Sequence, residues 1–282
     1  MPSSPSSRAQ SAREALAVRL SHIRKDAGLT GRELSARCGW HPAKTTRIQK
    51  AEMAPSDADI RTWCAVCGAE DQVGDLIATS RVVDSMYQEW RKLHRNGMRT
   101  AQEDWTTRHE QTRLCRVYVS NAVPGFLQTP AYATALMQAI TTFQGTPDDV
   151  TEAVASRVAR SRFLYQGGHR FVVVIEDWVL RARFGGSETM VAQLRHLLTV
   201  QPLASVSLGI IPTTTQRVIW PLEAFYLFDD RQVAVETLTA EINVSQPREL
   251  TDYAKAFAGL AKMAVYGDAA RALIEDAIDA CG

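Results

Sequence analysis

Residues 38–52 read CGWHPAKTTRIQKAE. Five side chains in this stretch can meet a nucleic acid: Ala43, Lys44, Thr46, Arg47 and Lys50. The planar fork of Arg47 suits a guanine edge, the Ala43 methyl can touch a thymine methyl, and the Thr46 hydroxyl can bond a base or a phosphate. Lys44, Lys50 and the nearby Arg32 suit phosphates, which orient a protein on the duplex without reading sequence. The N–H groups at the helix starts marked by Thr30 and His41 can also receive phosphate oxygens. A surface helix that merely happens to be basic is the plainer alternative.

These side chains work together only if short helices hold them on one face. Leu16, Leu20, Ile23 and Ala27 recur at helical spacing, with Gly28 placed to end the helix. Thr30 followed by Glu33 predicts a capping box opening a second helix, with Leu34 and Cys38 on its apolar stripe and Gly39 breaking it. Pro42 opens a third helix. With Ile48 inward, a step of about 100° per residue turns Ala43, Thr46, Arg47 and Lys50 outward and leaves Lys44 at the flank. Pro55 and Ser56 start a fourth helix carrying Ile60, Trp63, Cys64 and Cys67, and Val73, Leu76 and Ile77 mark a fifth. Two helices joined by a turn around a glycine form a helix-turn-helix unit, whose second helix enters the major groove.

Charge supports an anionic partner for this end of the chain. Residues 1–50 hold ten Lys or Arg against three acids, a net +7, although the 282-residue chain totals only +1. No run of about 18 apolar residues suits a bilayer, and the start MPSSPSSRAQSA lacks a secretion signal, so a cytoplasmic protein without a membrane partner is expected. Five cysteines fit a reduced compartment. CAVC at 64–67 lies on the helical stripe with Ile60 and reads as core, since neither a second CxxC nor paired histidines follow at zinc spacing.

The domain reading is a disordered segment over 1–10, a helix-turn-helix domain over 11–80, and an α+β domain over 81–282. Val83, Met86, Trp90 and Leu93 predict a long linker helix, resumed after Gly97 by Met98, Ala101, Trp105 and His109. CRVYVS, RFVVVIE, SVSLGII, EAFYLF and QVAVETL read as strands, the last three as an antiparallel meander. Helices are predicted in YATALMQAI, DDVTEAVASRVARSRFL, ETMVAQLRHLL and the run from Glu249 to Ile278. No phosphate loop, dinucleotide fingerprint or nucleophile elbow occurs, so neither a cofactor, a metal nor a catalytic residue is expected. Glu176 and Asp177 at a strand end could do acid–base work, but with Arg157, Arg160 and Arg162 one helix earlier they read as an ion-pair network.

The run LSHIRKDAGLTGRELSARCGWHPAKTTRIQKAEMAPSDADIRTWCAVCGA resembles the XRE-type, phage-repressor-like helix-turn-helix domain. It departs from that pattern at Gly31, where Gln is usual and a phosphate contact is lost unless Arg32 compensates. Thr45 replaces Val, Gln49 replaces Glu and His41 replaces the N-cap Ser, departures that bear on packing and capping but leave the register intact. EWRKLHRNGMRTAQEDW, RVYVSNAVPGFLQTPAYATALM and VIEDWVLRARFGG resemble the C-terminal domain of an actinobacterial, antitoxin-like regulator group. The resemblance implies a transcriptional regulator, and members of that group are commonly encoded beside a small partner protein. Expected partners are double-stranded DNA, a second copy of the chain, such a small protein, or a small-molecule ligand. A pure interaction module and a DNA-tethered enzyme are the rival readings.

Overall fold

The computed structural model describes residues 5–95 and 97–281. The chain divides into two compact units, residues 1–88 and 89–282.

The first unit is five helices: α1 (Pro5–Asp26), α2 (Gly31–Arg37), α3 (Pro42–Gln49), α4 (Asp57–Cys67) and α5 (Val73–Met86). Their inward stripes meet in one core of Leu16, Leu20, Ile23, Leu34, Ile48, Ile60, Trp63, Cys64 and Leu76, as the spacing predicts. α1 starts at Pro5, before the expected start of order near Ser11. Pro5 sits at the first helical position, and RAQSAREALA contains good helix formers. The expectation for residues 1–4 lies outside the described residues. α5 continues through Ser80 to Met86, which moves the boundary from the expected 80/81 to 88/89.

The expected long helix across Val83–Leu93 does not form. A short strand, β1 (Tyr87–Glu89), and one turn of helix, α6 (Trp90–Leu93), take its place; the side chains of Val83 and Met86 lie outside those described. Trp90 explains the break, since its backbone N–H donates to the Thr239 carbonyl (3.0 Å) and its indole N–H to the Thr237 carbonyl (2.8 Å). The pattern then resumes as predicted in α7 (Arg99–Gln111), with Met98, Ala101, Trp105 and His109 buried. The Asp149 carboxylate accepts the backbone N–H of Met98 (2.7 Å) and of Arg99 (2.8 Å) at the start of this helix.

Six strands of the sheet lie wholly within the second unit: β2 (Leu114–Val119), β3 (Arg170–Glu176), β4 (Val206–Ile211), β5 (Phe225–Phe228), β6 (Gln232–Glu236) and β7 (Ala240–Val244). Their order is β7-β6-β5-β2-β3-β4. β2, β3 and β4 are parallel, while β5, β6 and β7 form an antiparallel meander joined to β2. The predicted meander is therefore shifted by one strand: β4 leaves it to pair with β3, and β7, absent from the sequence reading, completes it.

Parallel neighbours require crossover helices. α8 (Pro130–Gln144) and α9 (Val150–Ala159) link β2 to β3, and α10 (Ser187–Val200) links β3 to β4. The C-terminal run is two helices, α11 (Pro247–Met263) and α12 (Gly267–Asp279), parted where Val265 exchanges backbone hydrogen bonds with Ile210 of β4 (2.8 and 3.0 Å). One sheet face packs Val117, Val173 and Leu208 into a core with Leu194 of α10 and Ile274 of α12. On the other face, Phe225 meets Tyr253 and Phe257 of α11. With both faces covered, β3 and β5 read as apolar runs, FVVVI and FYLF, rather than as an alternation. The chain is an α+β protein.

Candidate nucleic-acid interface

The α2–turn–α3 unit is built from local hydrogen bonds. The Thr30 hydroxyl accepts the Glu33 N–H (3.2 Å) and the Glu33 carboxylate accepts the Thr30 N–H (2.7 Å), completing the predicted capping box. The Thr30 backbone N–H first, and the Thr30 hydroxyl second, hold the Glu33 carboxyl below the usual carboxylate range. At the other end of α2, Gly39 has φ +68, and the N–H groups of Gly39 and Trp40 bond the carbonyls of Ala36 (3.2 Å) and Ser35 (2.8 Å). That is a Schellman turn, which needs a left-handed residue where glycine stands. A Cβ at Gly39 would meet nothing within 4 Å, so only backbone strain opposes it. Gly39→Ala is expected to destabilise the first unit by roughly 1–2 kcal/mol, seen as a lower urea midpoint with an unchanged slope.

His41 stands where the resemblance has Ser, yet it caps α3: its Nδ1 accepts the Ala43 N–H at 3.3 Å, with Pro42 at the first helical position. An imidazole nitrogen thus fills the acceptor role at this N-cap. Thr45, where the resemblance has Val, is buried, and its hydroxyl is hydrogen bonded to the Ser35 hydroxyl (2.6 Å), which in turn reaches the Gly31 carbonyl (2.8 Å). A satisfied buried polar pair thus joins α2 to α3 beside Ile48.

With Thr45 and Ile48 inward, Ala43, Thr46, Arg47 and Lys50 are exposed on one side of α3, as predicted; Thr30, Arg32 and His41 are exposed as well. Arg32, Arg47 and Lys50 have no ion-pair partner among the described residues. The Thr46 hydroxyl donates to the Pro42 carbonyl (3.2 Å), which leaves its lone pairs for an incoming donor such as a base amino group. Lys44 differs from the rest. Its Nζ contacts Asp59 of α4 at 2.5 Å and lies 4.4 Å from the centre of the Trp40 ring, so it ties α3 to α4. Partial burial pushes the Asp59 carboxyl up, but Lys44 and the Ser56 cap outweigh it and hold the group below its usual range. Asp59 and Ser35 were not singled out in the sequence; only the S-x-x-D spacing of Ser56 and Asp59 gave a local signal.

In the second unit, the acids expected to face Arg157, Arg160 and Arg162 have other partners. Glu176 is fully buried, takes both arms of the Arg217 guanidinium (2.7 and 2.7 Å) and accepts the Tyr118 hydroxyl (2.8 Å). Asp177 lies 3.5 Å from Arg181. Arg162 stacks on the Phe163 ring (4.7 Å), and Arg157 and Arg160 bond neutral amide oxygens. The acids are an ion-pair network, as read, but with Arg217 and Arg181, which come from the connections after β4 and after β3.

Residues 15–76 match a family described as a helix-turn-helix domain. Residues 102–276, more than half of the chain, match a family described as a domain of unknown function, DUF5753. The chain belongs to the DUF5753 family. No curated protein and no solved structure matches it. The N-terminal part of this DUF5753 protein is a DNA-binding helix-turn-helix module, and the whole has the make-up of a helix-turn-helix regulator. Among the described residues, no helix is long and apolar enough to cross a membrane, and no group of three His, Cys, Asp or Glu side chains is arranged to hold a metal. All five cysteines are free, Cys64 within the core and Cys67 packed against it.

Proposed function

We propose that this DUF5753 protein is a sequence-specific transcriptional regulator that binds DNA as a dimer, lays α3 in the major groove, and is controlled through its second domain. The observation that carries the reading is the division of α3: Thr45 and Ile48 are fully buried while Ala43, Thr46, Arg47 and Lys50 share one exposed side. Packing explains the first set and makes no use of the second. A dimer is invoked because one recognition helix reads only a few base pairs, and two-fold symmetry doubles the site.

The test selects duplexes retained by the full-length protein from a random library, then measures affinity for the recovered site. Arg47→Ala is expected to weaken binding by roughly 10- to 100-fold, with relaxed preference at one base pair and unchanged melting. Lys50→Ala should weaken binding to all sequences alike and flatten the salt dependence. Recovery of no common sequence, or an Arg47→Ala protein that binds as tightly as the parent, would overturn the reading.

A further inference from the structure

Arg157 and Arg160, one turn apart at the end of α9, bring two positive charges into the interior of the second domain. Every acceptor they reach is neutral. Gln102 Oε1 takes Arg157 (3.1 Å) and Arg160 (2.8 Å), Gln128 Oε1 takes Arg157 (3.2 Å), and the Arg157 carbonyl takes Arg160 (3.4 Å). Arg160 is only 3% exposed, and its Nη1 is buried without a partner. Burial and the neighbouring Arg157 pull the Arg160 guanidinium down to about 9, so it remains charged at neutral pH. Glu236 shares the space and hydrogen-bonds neither arginine; burial pushes its carboxyl up, while the charges of Arg157 and Arg160 oppose that shift. Arg160 is thus a buried cation with no hydrogen-bonded counter-charge, beside a half-buried Arg157, an arrangement that costs several kcal/mol per buried ion and suggests another use for the pair.

The surroundings indicate that use. Both guanidinium groups line the inner end of a cleft, about 130 Å³, together with Trp105, Gln128, Tyr226 and Glu236. This end shares Gln102, Trp105, Leu136 and Ile140 with a wider outer part of about 490 Å³, whose walls include Trp90, Met98, Phe143 and Leu238. Phe143 and Leu238 are 71% and 72% exposed at its lip. The polar end is built by the PGFLQT segment. A Cβ on Gly125 would come within 2.9 Å of Arg160 Nη2, so the glycine makes room for that group. Gln128 donates its amide N–H to the Val123 carbonyl (2.7 Å), which turns its oxygen toward Arg157.

We propose that this cleft binds a small amphipathic anion, with a carboxylate or phosphate head taken by Arg157 and Arg160 and an apolar tail laid along Trp90, Phe143 and Leu238. Two guanidinium forks match the oxygens of either head group, and such pairs are the strong, charge-assisted kind. A concave, mostly apolar cavity of several hundred Å³ with a few convergent polar groups is the usual form of a small-molecule site. The inference names a ligand class for the controlling domain but is read without DNA. Failure of the operator experiment leaves it standing, and its own failure leaves the DNA reading standing.

Titration calorimetry of the full-length protein with octanoate, octyl phosphate and octan-1-ol separates head from tail, and acetate and inorganic phosphate test the head alone. At least one of the two octyl anions is expected to bind about tenfold or more tighter than the alcohol, and to lose about tenfold or more with Arg160→Gln or Arg157→Gln. Phe143→Ser, at the exposed lip, should weaken octanoate and octanol by the same factor and leave the head-group preference intact. Should Arg160→Gln fail to fold, the ranking on the parent protein and the Phe143→Ser comparison still decide. Equal binding of octanol and the anions, or no anion bound at about 1 mM, overturns the proposal.

Discussion

Trp63→Ala is expected to unfold the N-terminal unit at physiological temperature and to abolish DNA binding with it. Trp63 is 1% exposed at the centre of the five-helix core, its indole N–H donates to the Leu20 carbonyl of α1 (3.1 Å), and its ring lies 6.2 Å from that of Trp40 in the turn before α3. One side chain therefore links α1, α4 and the approach to the recognition helix. Truncating a buried Trp destabilises by about 3–5 kcal/mol, against a total of only about 5–15 kcal/mol for a typical domain. A unit of this size buries proportionally little surface, which puts it near the lower end of that range. The corresponding fall in melting temperature is roughly 15–30 °C. Circular dichroism during heating checks it, and a fall below about 5 °C would remove Trp63 from the core of the argument. The comparison with Arg47→Ala is informative because both variants bind the operator less well, yet only Trp63→Ala loses helix signal.

What could be read in the sequence was what the chain determines over a few residues. The Thr30–Glu33 box, the Gly39 turn and the orientation of Ile48 each depend on neighbours within one or two turns, and each stands where the spacing put it. The strand pairing depends on distant partners. SVSLGII precedes EAFYLF in sequence, but α10 carries β4 across to β3, and the two strands end with β3 and β2 between them. The β2–α8–α9–β3–α10–β4 alternation was the available signal for a parallel half. β7 was hidden by Glu241 and Asn243, polar letters in a buried strand. Arg108 pairs with Glu241 at 2.7 Å and the Trp105 indole donates to it at 2.9 Å, and both come from α7. Likewise the spacing of Arg157, Arg160 and Arg162 states that three cations are close, but not that two turn inward to a cleft and the third lies on Phe163. The PGFLQT segment was conspicuous as a string, and its task became legible only once Gly125 and Gln128 were seen against those guanidinium groups.

Glu176→Ala is expected to destabilise the second domain by about 3–5 kcal/mol, the usual consequence of removing one partner of a buried ion pair. The loss follows from what remains. Arg217 would keep its charge against the Trp178 ring (5.5 Å) with both carboxylate bonds gone, and the Tyr118 hydroxyl would lose its acceptor. Glu176 ends β3, and Arg217 belongs to the connection between β4 and β5, so the pair fastens that connection to the C-terminal ends of the parallel strands. The Tyr118 hydroxyl also accepts the Leu222 N–H (3.4 Å), and the Ser120 hydroxyl donates to the Leu222 carbonyl (2.7 Å), fixing the far end of the same connection. Glu176→Gln keeps one acceptor in place and should lose less, about 1–3 kcal/mol. Arg217→Met leaves the carboxylate buried without its counter-charge and should be as damaging as Glu176→Ala, whereas the double variant Glu176→Leu, Arg217→Met should recover most of the loss, since neither charge is then stranded. Denaturant unfolding of the parent, the Glu176→Leu and Arg217→Met single variants and the double variant closes the cycle. Additive single effects, or a Glu176→Ala protein as stable as the parent, would mean that this acid does not hold the strand ends together, and would return it to the acid–base role that its position beside Asp177 first suggested.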